Sequence, residues 1–182
     1  MYDLRFNAVD LYAAASPLES NRHYILYQKA LDRFNAARRA AAIIRIKSIL
    51  FGHARRLLNL GAIPPGQVRG RHYGGIKCVS LNQICGSMNR TGDFDHHFHP
   101  LDDRLRDRWV SVALAQSQDV PLPPVSLVQV GACYFVEDGH HRVSVARALG
   151  QTAIEAEVTV WDVHGPLPWE RLPAARPVVQ VA

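Results

Sequence analysis

The stretch Tyr134-Phe135-Val136-Glu137-Asp138-Gly139-His140-His141-Arg142-Val143-Ser144-Val145-Ala146-Arg147-Ala148-Leu149-Gly150 decides the fold. It opens as a run of β-formers, bends at Asp138-Gly139, and continues as a helix over His141–Leu149 closed by Gly150 as the glycine just past its end. Upstream, Val125–Val130 and Cys133–Val136, split by Gly131-Ala132, read as a hairpin. Downstream, Ile154, Ala156, Val158 and Val160 alternate with Glu155, Glu157 and Thr159, the pattern of a half-buried strand. Leu101–Gln118 reads as an amphipathic helix with Leu105, Trp109, Val112, Ala113 and Leu114 inward, stopped by Leu122-Pro123-Pro124.

The chemistry of the central stretch follows from its geometry. Gly139 permits positive φ and lets a ligand approach the backbone. The first turn of a helix leaves amide N–H groups unpaired at the positive end of the helix dipole. His140, His141 and Arg142 add donors there, although cations in a first turn are disfavoured by about 0.3–1 kcal/mol each. An anionic ligand offsets that cost, so the stretch predicts a phosphate or carboxylate site formed by Asp138, Gly139, His140, His141 and Arg142.

Nearer the N-terminus, Ser16, Pro17 and Glu19 form a capping box. Apolar residues then recur at three- and four-residue steps up to Leu60, with a break expected near Asn35–Arg39 or at Gly52. Pro64-Pro65-Gly66 ends that block, and the glycine-rich, basic residues 64–75 read as a linker. The expected organisation is a basic helical module over residues 1–63, the linker, an α/β (α+β) domain with a small mixed sheet over 76–164, and a proline-rich tail over 165–182.

Residues 1–75 carry twelve basic and four acidic side chains, a net of +8, whereas residues 76–182 carry nine and twelve, a net of −3. No acid occurs between Asp32 and Asp93. One-sign stretches of this length meet a polyanion or an acidic surface of the same protein. Arg38, Arg39, Arg45, Lys47, Arg55, Arg56, Arg69 and Arg71 are therefore candidate contacts to DNA or RNA without sequence preference, the alternative being a contact between subunits through these helices, as in a homodimer. With 182 residues, 48% hydrophobic and 20% charged, the chain has an ordinary globular composition. It shows no apolar run of membrane-spanning length, and Asp3, Asp10 and Glu19 interrupt any signal-like start, so a cytoplasmic protein without a membrane partner is expected. Three cysteines with no C-x-x-C give neither a disulfide framework nor a zinc site and read as small buried hydrophobes.

The segment Ile76–Trp161 resembles the ParB/sulfiredoxin-like domain family. The likeness rests on Val79-Ser80-Leu81 with Ile84, on Pro123-Pro124-Val125, on the Tyr134–Arg142 core, and on Ala146 with Leu149-Gly150, and it covers about half the chain. It implies a small α/β fold whose glycine-centred loop holds nucleotide phosphates. In sulfiredoxins the loop reads glycine-cysteine-histidine-arginine with a catalytic cysteine. His140 stands at that position here, so the resemblance does not extend to sulfinic-acid reduction. ParB proteins carry glycine-glutamate-arginine-arginine and bind CTP, and only Gly139 and Arg142 match. Free-serine kinases of the same fold carry a loop most like Asp138–Arg142, with an upstream glutamate as base that has no counterpart here.

The expected ligand is thus a nucleotide (ATP, ADP or CTP), with Mg²⁺ arriving alongside it. Arg90 is the second phosphate contact that the resemblance implies. The polar loop Asn89–Pro100 holds Asp93, Asp95, His96, His97 and His99 in a spacing that matches no metal motif, and no protein-held metal is expected. Two functions remain: a nucleotide-binding, nucleic-acid-associated ParB-like protein, or a small-molecule phosphotransferase in which Asp93, Asp95 and His140 are the candidate catalytic groups. Trp109 is expected in the core, Trp161 and Trp169 between tail and domain, and Ser144 on a helix surface.

Overall fold

In the computed structural model, which describes residues 17–51 and 57–170, three helices cover one face of a six-stranded sheet. The elements are α1 (Pro17–Phe51), β1 (Leu58–Asn59), β2 (Val68–Ser80), β3 (Ile84–Ser87), α2 (Arg106–Ser117), β4 (Val125–Val130), β5 (Cys133–Asp138), α3 (His140–Ala148) and β6 (Ala153–Val163). The strand order is β1-β3-β5-β4-β6-β2. β4 runs antiparallel to β5 and parallel to β6, and β3 runs parallel to β5, so the sheet is mixed as expected. The hairpin, the turn at Asp138-Gly139, the helix after it and the alternating last strand are all present.

Neighbouring residues on the central strands separate the two faces. Leu127 and Val136 point into the main core with Val125, Ala156, Val158 and Trp109, whereas Val128 and Phe135 point into a smaller cluster with Leu60, Ile63, Trp161 and Trp169. Phe135 and Trp169 pack with ring centroids 5.0 Å apart, so the expected contact between tail and domain is made.

The expected linker at 64–75 is instead a short turn, Pro65–Gln67, followed by the first half of β2. β2 pairs with β6 from Val68↔Val163 to Ser80↔Ala153, with register shifts between Val68 and Gly70 and between Tyr73 and Gly75. Its glycines serve the pairing: a Cβ at Gly74 would lie 2.9 Å from Val160 and 3.1 Å from the Val158 carbonyl. Nor do residues 1–63 form a separate module. Leu57 belongs to the main core, Leu60 and Ile63 to the smaller cluster, and β1 pairs with β3. Phe34 of α1 meets Trp109 of α2 edge-on at 5.7 Å, so helix and sheet share one core.

α1 is continuous over 35 residues, with no break at Asn35–Arg39. Alanine and arginine favour a helix there, and Ala37 and Ala41 bury on its inner face. The second expected break, Gly52, lies outside the described residues, as does Ser16 of the capping box.

Two further expectations are corrected. Ser144 is buried, and its Oγ accepts the Trp109 indole N–H at 2.8 Å across the α2–α3 interface. Ser144→Ala leaves that donor unpaired in the core and should cost about 1–3 kcal/mol in urea unfolding, and a loss below the error of the measurement would show that the bond contributes nothing. The cysteines are not fully buried: Cys78 is exposed, and Cys85 and Cys133 are half-buried. Burial and a hydrogen bond to Cys85 push the Cys133 thiol up to about 12, so it stays protonated and inert as a nucleophile.

Candidate anion-binding site

β5 delivers the chain to Gly139, which caps α3 at φ +94°. α3 has no side-chain cap and no acid in its first turn. The Asp102 side chain accepts the Arg104 N–H and the Asn59 side chain the Gly61 N–H at two other helical turns, whereas the starts of α2, Pro65–Gln67 and Leu81–Gln83 lack a side-chain cap as α3 does. The Val143 N–H is paired to the Gly139 carbonyl. The amides of residues 140–142 precede it and have no intrahelical acceptor.

The first-turn side chains diverge. His140 is buried, and its Nε2 lies 2.7 Å from Ser87 Oγ. Ser87 Oγ already accepts the amides of Asn89 at 3.3 Å and Arg90 at 2.9 Å. Its hydroxyl proton therefore goes to Nε2, which makes His140 the Nδ1–H tautomer. His141 Nδ1 is buried and has no hydrogen-bond partner among the described residues. Phe94 stacks on the His140 ring at 6.1 Å and meets the His141 ring edge-on at 5.6 Å. Burial, followed by the charge of Arg90, depresses both imidazoles to about 4, with Arg108 adding to the effect on His141. Both rings are neutral near pH 7.

Arg142, expected as a phosphate contact, keeps its guanidinium beside Gly139 at the helix start but engages it with acceptors of the protein. Its Nη1 donates to the carbonyls of Pro123 and Pro124, and its Nη2 donates to Asp138 at 2.8 Å. It braces the entry of β4 against α3 and lines a groove of about 490 Å³ with Gln116, Asp119 and Glu155. Asp138 is engaged in the same brace.

The 88–100 loop is organised by its own acids. Asp95 accepts the amides of His97 and His99, and its Oδ2 lies 2.9 Å from His99 Nδ1. Burial pushes its carboxyl up, but these bonds outweigh burial and leave its pKa below the usual carboxylate value. Asp93 is held between Arg90, at 3.5 Å, and Arg104. Both carboxylates are engaged by the protein, Asp95 by the amides and ring of its own loop and Asp93 by two guanidiniums. Among the described residues no group of three His, Cys, Asp or Glu side chains is placed to hold a metal.

Of the eight basic residues expected on nucleic acid, the six described ones are divided between α1 and edge strand β2. Arg38 bonds to the Leu101 carbonyl and pairs with Asp103 at 3.4 Å. Arg39, Arg45 and Lys47 are exposed on α1. Arg69 and Arg71 sit on edge strand β2, with Arg71 over the Trp161 ring at 4.0 Å. Arg55 and Arg56 lie outside the described residues. No helix among the described residues is long and apolar enough to cross a membrane.

Sequence reasoning missed Ser87, Phe94, Arg104 and Arg108. Arg104 and Arg108 stand four residues apart, a spacing that puts both on one helical side, and this was the available signal. Ser87 and Phe94 reach the site through the fold and carry none.

No protein-family model matches the chain, and no curated protein matches it. Among solved structures, the crystal structure of sulfiredoxin from Arabidopsis thaliana is similar over 46% of this chain and 82% of that chain, with 19% sequence identity and a TM-score of 0.35.

Proposed function

We propose that the protein binds a phosphate-bearing small molecule, a nucleotide, at the first turn of α3. The observation that carries this is the uncapped helix start in a field of guanidiniums strong enough to help hold two imidazoles neutral. A phosphate supplies acceptors for the first-turn amides and negative charge for Arg90 and Arg108. Arg90 is half-exposed, and its main chain is fixed by Ser87, so its guanidinium can reach a ligand from a positioned backbone. Mg²⁺ is read as entering with the nucleotide.

The phosphotransferase reading has less support. Asp93 and Asp95 already serve structural contacts, and His140 already accepts a proton from Ser87. Binding without turnover is what these side chains favour.

The test is calorimetry and thermal shift with pyrophosphate, ATP, ADP and CTP, with and without Mg²⁺. At least one of these ligands should raise the melting temperature. Arg90→Ala should weaken its binding by about 1.5–3 kcal/mol, the range for a charged hydrogen bond, while leaving the unliganded melting temperature near wild type. Arg142→Ala should instead lower the unliganded melting temperature, because it removes the brace on Pro123 and Pro124. Absence of heat and of any shift with all four ligands would overturn the proposal.

A further inference from the structure

We infer that two copies of this chain associate by laying the outer face of the last turns of α1 on the open face of β2 and β6. Ala30, Phe34, Ala37 and Ala41 mark the inner side of α1 and are buried. On its opposite side Ile43, Ile46 and Leu50, spaced three and four residues apart, are each more than half exposed, and Ile49 and Phe51 are exposed on either side of them in the last turn. Arg39 lies in line with it one turn earlier, Lys47 flanks it, and no acid occurs on α1 after Asp32. Isolated exposed isoleucines are ordinary, but five large apolar side chains within nine residues at the end of one helix are not.

The second surface carries the opposite charge. The register pairs Tyr73 with Thr159, Ile76 with Glu157 and Cys78 with Glu155, which puts these side chains on one face. The alternating residues Val79, Ala156 and Val158 go into the core under the helices, so this face looks away from them. Tyr73 and Ile76 are more than half exposed on it, and Glu155 and Glu157 are exposed beside them. One patch is apolar and basic, the other apolar and acidic.

The two patches cannot meet within one molecule. α1 packs against α2 on the helix side of the sheet, and the Tyr73–Glu157 face lies on the other side. A second copy supplies both complements at once, apolar area against apolar area and guanidiniums against carboxylates. A polyanion would match the cations of α1 but leave Ile43, Ile46 and Leu50 in water. An identical α1 would bring like charges together.

Sedimentation of the full chain over a wide concentration range tests this. The mass should rise above the 20.3 kDa of one chain with concentration and fall back with salt. R39E/K47E should remain monomeric, and so should E155K/E157K, each with wild-type circular dichroism. Mixing the two variants should restore association, because each then offers the charge the other lacks. A wild type that stays at the mass of one chain at every concentration would overturn the inference, as would reversed variants that associate normally or a mixture that does not recover. Loss of DNA retention in R39E/K47E, with wild-type mass unchanged at one chain, would likewise overturn it and assign α1 to nucleic acid.

Discussion

As pH falls from 6.5 to about 4, the protein should lose about 3 kcal/mol of folding stability for each of His140 and His141. Both imidazoles are held near 4, first by burial and then by Arg90, whereas in the unfolded chain they titrate near 6.5. Below 6.5 the unfolded state therefore binds more protons than the folded one. The stabilisation is complete above 6.5 and is lost as pH falls through the window. Asp95 acts in a lower range: its folded pKa is depressed below 3.8, so its contribution persists through the histidine window and disappears only under stronger acid. Urea unfolding at neutral pH and near pH 4 measures the loss, and His141→Asn should remove roughly half of it. A stability that is flat across this range would show that the rings are solvated and that the cationic field at the start of α3 is weak. The same linkage bears on ligand binding. An anion that neutralises Arg90 raises both imidazole pKa values, so pyrophosphate should bind more tightly as pH falls and should take up protons on binding.

Much of the fold was legible because its signals are local. Gly139 and Gly150 mark the two ends of α3, and both have positive φ. Ile154, Ala156, Val158 and Val160 alternate because β6 buries one face. What failed depended on distant partners. The glycines of β2 look like a flexible connector in sequence, yet Gly74 is small because Val160 of a strand far along the chain lies against it. Ser144 looks like surface until Trp109 is seen to need an acceptor. The site divides in the same way. The bare helix start follows from Asp138-Gly139-His140, but the direction of a long side chain does not. Arg142 points at carbonyls 18 and 19 residues upstream, and His140 is oriented by a serine 53 residues away. Residue identity placed these groups at the site, and tertiary contacts decided which of them face it.

Gly139→Ala should destabilise the fold by about 2–5 kcal/mol and abolish phosphate binding in the molecules that remain folded. Two separate effects add. At φ +94° an alanine is strained wherever its methyl points. That methyl would also lie 2.6 Å from Val125 Cγ1 and 2.9 Å from Arg142 Nη2, with Val125 fixed in the core. Relief by rotating the peptide would turn the first-turn amides of α3 away from their common direction, and moving Arg142 would release Pro123, Pro124 and Asp138 together. The double variant V125A/G139A separates the terms. It removes the Cγ1 contact at 2.6 Å but keeps the Cβ contact at 2.9 Å and the backbone strain, so compared with Val125→Ala alone the added alanine should cost less than it does in wild type, yet still cost something. Equal costs in the two backgrounds would mean that the Cγ1 contact is irrelevant and that the cost comes from φ and the remaining contacts with Val125 Cβ and Arg142. If G139A were as stable as wild type and still bound pyrophosphate, neither the bend nor the amides it aims would be needed, and the proposed site would have to lie elsewhere on the molecule.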